Sequence, residues 1–428
     1  MPESLADWLK HLEAQHPRGE AGIELGLERV QAVSRALGQH QNVPVITVAG
    51  TNGKGSTCAM LESILTCAGY RVGLYTSPHL LDYTERVRIG GTAITAENLC
   101  ASFARVDASR TGTVLTYFEF GTLAAWECFA VAGVDVIILE VGLGGRLDAV
   151  NIYDADCAIV TAVDIDHTDY LGGTREKIGF EKAGVFRAGK SAICADPDPP
   201  SSLVVHAQNI GAHLYRIGSD FGYLREAGLW SFWSHLDNSV VRYNQLPLPN
   251  ISGLSQLQNA CGALAALQAL DARRPVRLED IRRGLLEVRL AGRFQILPGR
   301  PTIVLDVAHN PQAASVLAEN LGLQQEAQAC SGETWAVFGM LRDKDIAGVV
   351  MALAGQIAHW LPCSLGGIRA ASADELSRIL NDQAIAPLRC FASPAEAFRH
   401  ALENADGDDR ILVFGSFQTV ADVLHELA

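Results

Sequence analysis

In V-I-T-V-A-G-T-N-G-K-G-S-T (residues 45–57) three glycines surround a lysine, directly after an apolar, β-branched run and directly before a helical pattern. A glycine-rich turn in that context lets successive backbone N–H groups face one anion at the positive end of a helix dipole. Gly50, Gly53 and Gly55 supply the turn, with Thr51 and Asn52 inside it. Lys54 is placed to reach the outer phosphates of a nucleotide, and Ser56 or Thr57 to offer a hydroxyl to Mg²⁺. The strict phosphate-loop pattern G-x-x-x-x-G-K-[ST] fails twice: Val48 stands at the first glycine, and Gly55 separates Lys54 from the hydroxyls. A tight glycine turn with a solvated lysine is the alternative; strand, loop and helix in order favour nucleotide binding.

A second chemical group closes V-D-V-I-I-L-E (134–140), where Glu140 is followed by Gly142, Gly144 and Gly145. Parallel sheets place their ligand crevices beyond such strand ends. A strand-end charge reaching solvent is the competing reading.

These residues need a frame. Apolar runs at 43–49, 72–75, 134–141, 158–165 and 191–195 alternate with helical patterns, the first helix starting near Ser56. Short continuous apolar strands between helices read as a parallel sheet covered on both faces. Residues 212–250 change to aromatic, alternating pieces (H-L-Y-R-I-G, L-W-S-F-W-S-H, V-V-R-Y-N-Q-L-P-L-P), a small antiparallel excursion, and a helix follows over 253–270. A second alternation has strands at 302–308, 334–340, 356–363 and 410–416. Gly292, Pro298, Gly299 and Pro301 cluster at the junction, which predicts a boundary near 293–300. The expected fold class is α/β. A phosphate-loop domain over 1–294 has a mostly parallel sheet plus a small antiparallel β region, and a smaller Rossmann-like domain occupies 295–428.

The 428 residues suit two or three domains. With 48% hydrophobic and 19% charged residues and a mean hydropathy of +0.14, the chain has a globular composition rather than a disordered one. Its formal charge of −14 repels polyanions, so no nucleic-acid partner is expected and phosphates must be gripped locally. Ten scattered cysteines without a C-x-x-C pair argue for reduced thiols and a cytoplasmic address. The polar, amphipathic M-P-E-S-L-A-D-W-L-K-H-L-E-A-Q-H-P lacks the apolar core of a signal peptide. The most apolar stretch, 121–139, is broken by Glu127 and Asp135, so no membrane association is expected.

A-G-T-N-G-K-G-S-T resembles the variant phosphate loop of the Mur ligase superfamily, ATP-dependent amide-bond formers. Its G-K-G-S form resembles the folate branch, the folylpolyglutamate synthases and dihydrofolate synthases. Further segments are similar to those of the bacterial bifunctional members, in order along nearly the whole chain. They are I-E-L-G-L-E-R-V-Q-A-V-S-R-A-L (23–37), Y-T-S-P-H-L-L-D-Y-T-E-R-V-R-I (75–89), T-Y-F-E-F-G-T-L-A-A-W (116–126), E-V-G-L-G-G-R-L-D-A-V-N (140–151), the D-H-T to E-K-A-G stretch (164–187), G-R-F-Q (292–295), L-D-V-A-H-N-P (305–311), G-M-L-R-D-K-D (339–345) and F-G-S-F-Q-T-V-A-D-V-L (414–424).

The resemblance implies a Mur-ligase-like fold and a ligase that joins L-glutamate to dihydropteroate and to reduced folates through an acyl phosphate, using ATP and two Mg²⁺ ions. A folylpolyglutamate synthase lacking the first activity is the near alternative, with I-E-L-G-L-E-R and T-Y-F-E-F favouring the bifunctional type. A nucleotide-hydrolysing regulatory protein is the distant one. A cell-wall Mur ligase is disfavoured because the phosphate loop already starts at Gly50, leaving little chain for a UDP-sugar domain. A monomer is expected.

Site residues follow from the same resemblance. Ser77, Glu140 and His167 match its Mg²⁺ ligands, although His167 alone could be a structural histidine. Lys182 matches a lysine carbamylated by CO₂, which turns a cation into a carboxylate-like group; an unmodified Lys182 paired with Glu181 or Asp166 stays open. With Lys54 and His167 it forms the expected catalytic set. Asn259 matches an adenine-side asparagine, Arg293 an arginine that follows domain closure onto the phosphates, and Asp306 and His309 residues at the ribose. Asp306 as a plain strand-end charge is a live alternative. Phe118 is placed to stack on a pterin and Asp148 to accept from its amino face, against the reading of Phe118 as core. Val150 departs from the R-L-D-A-T-N of the family and loses a hydroxyl there.

Overall fold

The computed structural model describes residues 2–15, 22–226, 228–236, 239–326 and 332–427. Cys330 and residues 1 and 16–17 of the amphipathic N-terminal segment lie outside them. The chain divides into two compact units, Met1–Asn250 with Leu257–Val288, and Ile251–Gln256 with Arg289–Ala428.

In the first, α1 (Leu5–Gln15) and α2 (Glu28–Leu37) precede β1 (Val45–Ala49), which leads through the glycine loop into α3 (Lys54–Cys67) and β2 (Val72–Tyr75). A hairpin of β3 (Val87–Ile89) and β4 (Thr92–Ala93), then α4 (Ala96–Ser109) and α5 (Tyr117–Ala132), lead to β5 (Val136–Glu140) and β6 (Cys157–Val160). The short α6 (Thr168–Leu171), α7 (Arg175–Ala183), β7 (Ser191–Cys194), α8 (Ser201–Ile210) and β8 (His213–Arg216) complete the main sheet. Strands β9 (Phe221–Arg225), β10 (Leu229–Leu236) and β11 (Ser239–Pro247) follow, then helices α9 (Gln256–Ala269) and α10 (Leu278–Glu287).

The main sheet has the order β4-β3-β2-β5-β1-β6-β7-β8, parallel from β2 to β8, with β3 and β4 antiparallel at one edge. Each β1 residue is buried because both faces are covered. Val45, Ala49, Ile137 and Leu139 join a core with Leu99, Phe103, Phe120 and Phe129 of α4 and α5. On the opposite face Gly262 of α9 lets that helix approach Ile159 and Ala195. Helix α10 lies tight on α3, where a Cβ at Gly284 would sit 2.5 Å from the Ile64 Cα, and Ser63 Oγ donates to the Gly284 carbonyl at 2.7 Å. The helix behind the glycine loop is thereby clamped from outside.

Three expectations shift. Helix α3 begins at Lys54, two residues early, directly after Gly53, whose φ of +91° favours glycine. The run at 158–165 stays a strand only to Val160, since Thr161 and the residues after it turn toward the glycine loop. His213–Arg216 pairs parallel with β7 at the edge of the main sheet, as a strand following a crossover helix should. The antiparallel excursion is β9–β10–β11, with Phe221 and Phe232 buried beneath it.

The second unit carries β12 (Gln295–Leu297), β13 (Thr302–Leu305), α11 (Pro311–Glu326), β14 (Thr334–Phe338), α12 (Ile346–Leu353), β15 (His359–Pro362), α13 (Ala373–Asp382), α14 (Pro394–Asn404), β16 (Arg410–Phe414) and α15 (Phe417–Leu427). Its sheet runs β12-β13-β16-β14-β15, parallel except for β12. Phe338, Trp360 and Phe414 fill its core. Among the described residues no helix is long and apolar enough to cross a membrane. The cysteines described are free, and Cys58, Cys128, Cys157, Cys194, Cys261 and Cys363 are buried.

Candidate functional site

The glycine loop leaves β1 at the point where the strand order reverses, with β5 on one side and β6 on the other. Gly50 has φ +149°, and a Cβ there would overlap the Thr161 hydroxyl; a Cβ at Gly53 would overlap Asn259 Oδ1. The loop is pinned from the segment after β6: Thr161 Oγ1 is 2.7 Å from the Asn52 carbonyl oxygen, and Thr51 donates its N–H to Ala162 O at 2.6 Å. Thr51 Oγ1 also accepts from the Asp164 N–H at 3.0 Å. Lys54 Nζ donates to the carbonyls of Gly50 (3.1 Å) and Thr51 (3.2 Å), so its charge spans the loop. Gly53→Ala is expected to destabilise the protein by about 1–2 kcal/mol from the left-handed backbone alone. Equilibrium urea unfolding reads this, and displacement of Asn259 adds to it.

Carboxyl ends of the neighbouring parallel strands bring the other groups. Glu140, the last residue of β5, is buried and accepts the backbone N–H of Ser77, just beyond β2, at 3.2 Å. His167 adopts φ +52° before α6; its N–H goes to Asp166 Oδ1 at 2.8 Å and its Nε2 lies 3.9 Å from Asp166 Oδ2. Lys182 is 4% exposed. Gly145 lies so close to α7 that a Cβ would be 2.8 Å from the Glu181 carbonyl oxygen and 3.0 Å from that of Lys182, which brings the loop after β5 onto this lysine. Burial pushes the Lys182 ammonium down to about 7; the charge of Lys54 acts in the same direction, against Asp166 and Asp148. Glu181 is engaged elsewhere, at 2.8 Å from Arg146.

Among the described residues no three His, Cys, Asp or Glu side chains form a metal-holding group. The expected trio contains only two such residues, and its third donor is a hydroxyl. Oxygen-rich, sparsely charged donor sets suit Mg²⁺, which keeps several waters. The buried Thr57 hydroxyl has no hydrogen-bond partner, and Gly50 and Gly53 leave a loop that any side chain would fill. Both features fit a phosphate–Mg²⁺ group.

Phe118, second residue of α5, is half-buried with its ring against Gly142, where a Cβ would be 2.7 Å from Cζ, and 5.7 Å from the Tyr75 ring. Asp148 is committed to the backbone: Oδ2 accepts from Leu143 N (2.8 Å) and Oδ1 from Val150 N (3.0 Å). Burial pushes its carboxyl up from 3.8 to about 7, against those amides and Lys54. A carboxyl raised in this way contributes stability below its unfolded value, lost as pH rises through about 7. Asp148→Asn should remove that slope, so urea unfolding at about pH 5 and about pH 8 should differ less in the variant than in the parent.

In the second unit Asp306, following β13, accepts the N–H groups of Phe294 (2.8 Å) and Ala308 (2.7 Å); burial raises its carboxyl pKa, opposed by Arg293. His309 Nδ1 is 2.8 Å from the Val307 carbonyl oxygen. The Arg293 guanidinium lies 5.1 Å from the centre of the Phe417 ring, and His309 6.4 Å from it. Phe417 opens α15 just after β16, the strand beside β13, and so brings Arg293 and His309 to one ring. Sequence reasoning passed over Phe417, Thr161 and Thr51 as a loop anchor. For Phe417 the available signal was its place one residue beyond the glycine–serine turn that ends R-I-L-V-F-G-S.

The profile of the Mur ligase middle domain matches residues 48–267, and that of the Mur ligase glutamate ligase domain matches 292–417. The chain belongs to the Mur ligase family. Within that family, the dihydrofolate synthase/folylpolyglutamate synthase of Escherichia coli (strain K12) is 46% identical over 421 residues, 98% of this chain and 94% of that protein. The solved structure of E. coli FolC in complex with DHPP and ADP matches with a TM-score of 0.91 at 45% identity, covering 99% of this chain and 98% of that one. A bifunctional folylpolyglutamate synthase/dihydrofolate synthase with Mn, AMPPNP and L-glutamate bound matches at 0.89 and 45%, with coverage of 99% and 98%. The Mur ligase middle-domain match takes in the glycine loop, Ser77, Glu140, His167, Lys182 and Asn259; the glutamate ligase match takes in Arg293, Asp306, His309 and Phe417.

Proposed function

We infer that the protein is a cytoplasmic, ATP-dependent acid–amino-acid ligase of the folate branch, adding L-glutamate to dihydropteroate to give dihydrofolate and to reduced folates to lengthen their glutamate tails. The observation that carries this is full-length similarity to a FolC holding DHPP and ADP, in a chain whose glycine loop, Ser77 and Glu140 stand at the ends of adjacent parallel strands, with Lys182 of α7 against the loop after β5. ATP phosphorylates the acceptor carboxylate, giving an acyl phosphate and ADP. The glutamate amine then attacks the carbonyl carbon; the amide forms, phosphate leaves and the amine gives up its proton.

The acidic protein needs local positive charge for this, and loop amides with Lys54 supply it. Thr57 or Ser56, with Ser77, Glu140 and His167, would hold Mg²⁺, whose contribution is neutralisation of phosphate charge. We assign Asn259 to the adenine side, and Arg293, Asp306 and His309 to nucleotide contacts at the phosphates and ribose. Residues 1–294 are read as the nucleotide-binding domain and 295–428 as the glutamate ligase domain. Lys182 is read as carbamylated: its neutral amine adds to CO₂ and loses a proton, leaving an anion beside Lys54 in place of a second cation. For the pterin, we assign half-buried Phe118 as the stacking surface, while Asp148 shapes the loop first and accepts from the ligand second.

The test is incorporation of labelled L-glutamate with MgATP, using dihydropteroate and then tetrahydrofolate as acceptor. Amide product from both is expected. Product from tetrahydrofolate alone would mark a monofunctional folylpolyglutamate synthase, and phosphate release without amide from either would mark a nucleotide-hydrolysing regulator.

A further inference from the structure

We propose that Arg29 is a positioning residue for the pocket that takes the pteroate part of the acceptor, a proposal that rests on the functional reading above. Arg29 is the second residue of α2, near the positive end of that helix dipole, where a cation is disfavoured unless something else holds it. It is held from two sides. Its Nη1 donates to Glu24 Oε1 at 2.7 Å and its Nη2 to the Glu24 carbonyl at 3.0 Å and to Glu119 Oε1 at 3.0 Å.

Glu119 is 3% exposed and is the third residue of α5. Its Oε2 accepts the Thr116 N–H at 2.8 Å while Thr116 Oγ1 accepts the Glu119 N–H at 3.2 Å, a reciprocal cap that fixes the first turn of the helix. Phe118 is one of the two residues between them, with its ring on Gly142. At the other end of the same short segment, Gly26 N–H points to the Leu147 carbonyl at 3.4 Å, next to Asp148. Residues 24–29 therefore run from the turn that aims Phe118 to the loop that Asp148 organises. Arg29 ties the segment to that turn through a buried carboxylate, which needs a charged partner. A forked guanidinium can serve Glu24 and Glu119 together; a lysine ammonium is a single point charge on a flexible stem.

Three variants test this. Arg29→Met leaves Glu119 buried without its cation and can lose folding, so Arg29→Met/Glu119→Gln removes the charge as well, and glutamine at this position still caps the helix. In the double variant the KM for dihydropteroate should rise about tenfold or more, because displacement of a positioning element by a fraction of an ångström is felt at the ligand. The KM for ATP and kcat should stay within about twofold of the parent. Arg29→Lys should recover part of the dihydropteroate KM. A dihydropteroate KM within about twofold of the parent in the double variant, or a loss shared with the ATP KM or carried by kcat, overturns the proposal. Failure of the parent protein to use dihydropteroate at all would instead overturn the functional reading.

Discussion

Lys54→Ala is expected to lower kcat/KM for ligation by about 10³-fold, the scale on which removal of one preorganised charge-stabilising group acts in a closed site. In the folded chain the ammonium bridges the Gly50 and Thr51 carbonyls at 3.1 and 3.2 Å, holding one positive charge over a loop of glycines. A protein with a formal charge of −14 offers no general field to attract a nucleotide, so the loss cannot be made up from a distance. The same bonds stabilise the fold only modestly, at about 0.5–1.5 kcal/mol each. Urea unfolding should move little while steady-state phosphate release collapses. Lys54→Arg should not restore activity, because a planar guanidinium does not fit where a compact ammonium sits between two carbonyls. A Lys54→Ala enzyme within about tenfold of the parent would remove the phosphate role of the loop lysine.

Lys182→Ala should cost a further activity loss of about 10²–10³-fold, recovered in part by short carboxylic acids such as formate or acetate that fill the vacated space with an anion. The argument is electrostatic. Burial brings the Lys182 ammonium down to about 7, and the charge of Lys54 acts in the same direction. The sign is definite: the neutral, nucleophilic amine gains population as pH rises through about 7, and carbamate formation from CO₂ follows it. Parent enzyme in carefully CO₂-free buffer should lose activity and regain it on adding bicarbonate, whereas the Ala variant should respond to acetate and not to bicarbonate. A fully active Lys182→Ala enzyme would sink the carbamate reading.

Buried strands were the most legible part of the fold, because residues such as V-I-T-V-A and V-I-I-L-E are apolar on both faces and leave no other place for themselves. The glycine loop was legible for a related reason: Gly50 and Gly53 occupy backbone conformations and close approaches that other residues do not tolerate. Short antiparallel additions were not. Val87–Ile89 with Thr92–Ala93, and Gln295–Leu297, are two or three residues long and carry no period to read. The H-L-Y-R strand looked like the alternating segments after it, and only its parallel pairing with β7 assigns it to the main sheet.

Asp148 and Asp306 looked like ligand contacts from their motifs. Each also accepts two backbone amides that shape a loop, a role that depends on three-dimensional proximity and leaves no mark in spacing. Thr161 is similar, reading as part of a strand until the chain turns it onto the Asn52 carbonyl.

The most direct test of the ligase account follows the oxygen atoms of the acceptor. Dihydropteroate carrying ¹⁸O in its carboxylate is incubated with MgATP and L-glutamate, and the phosphate released is examined by mass spectrometry. Activation by phosphorylation predicts one ¹⁸O in each phosphate formed, in step with the amide bond made. Unlabelled phosphate, with or without amide, would contradict it.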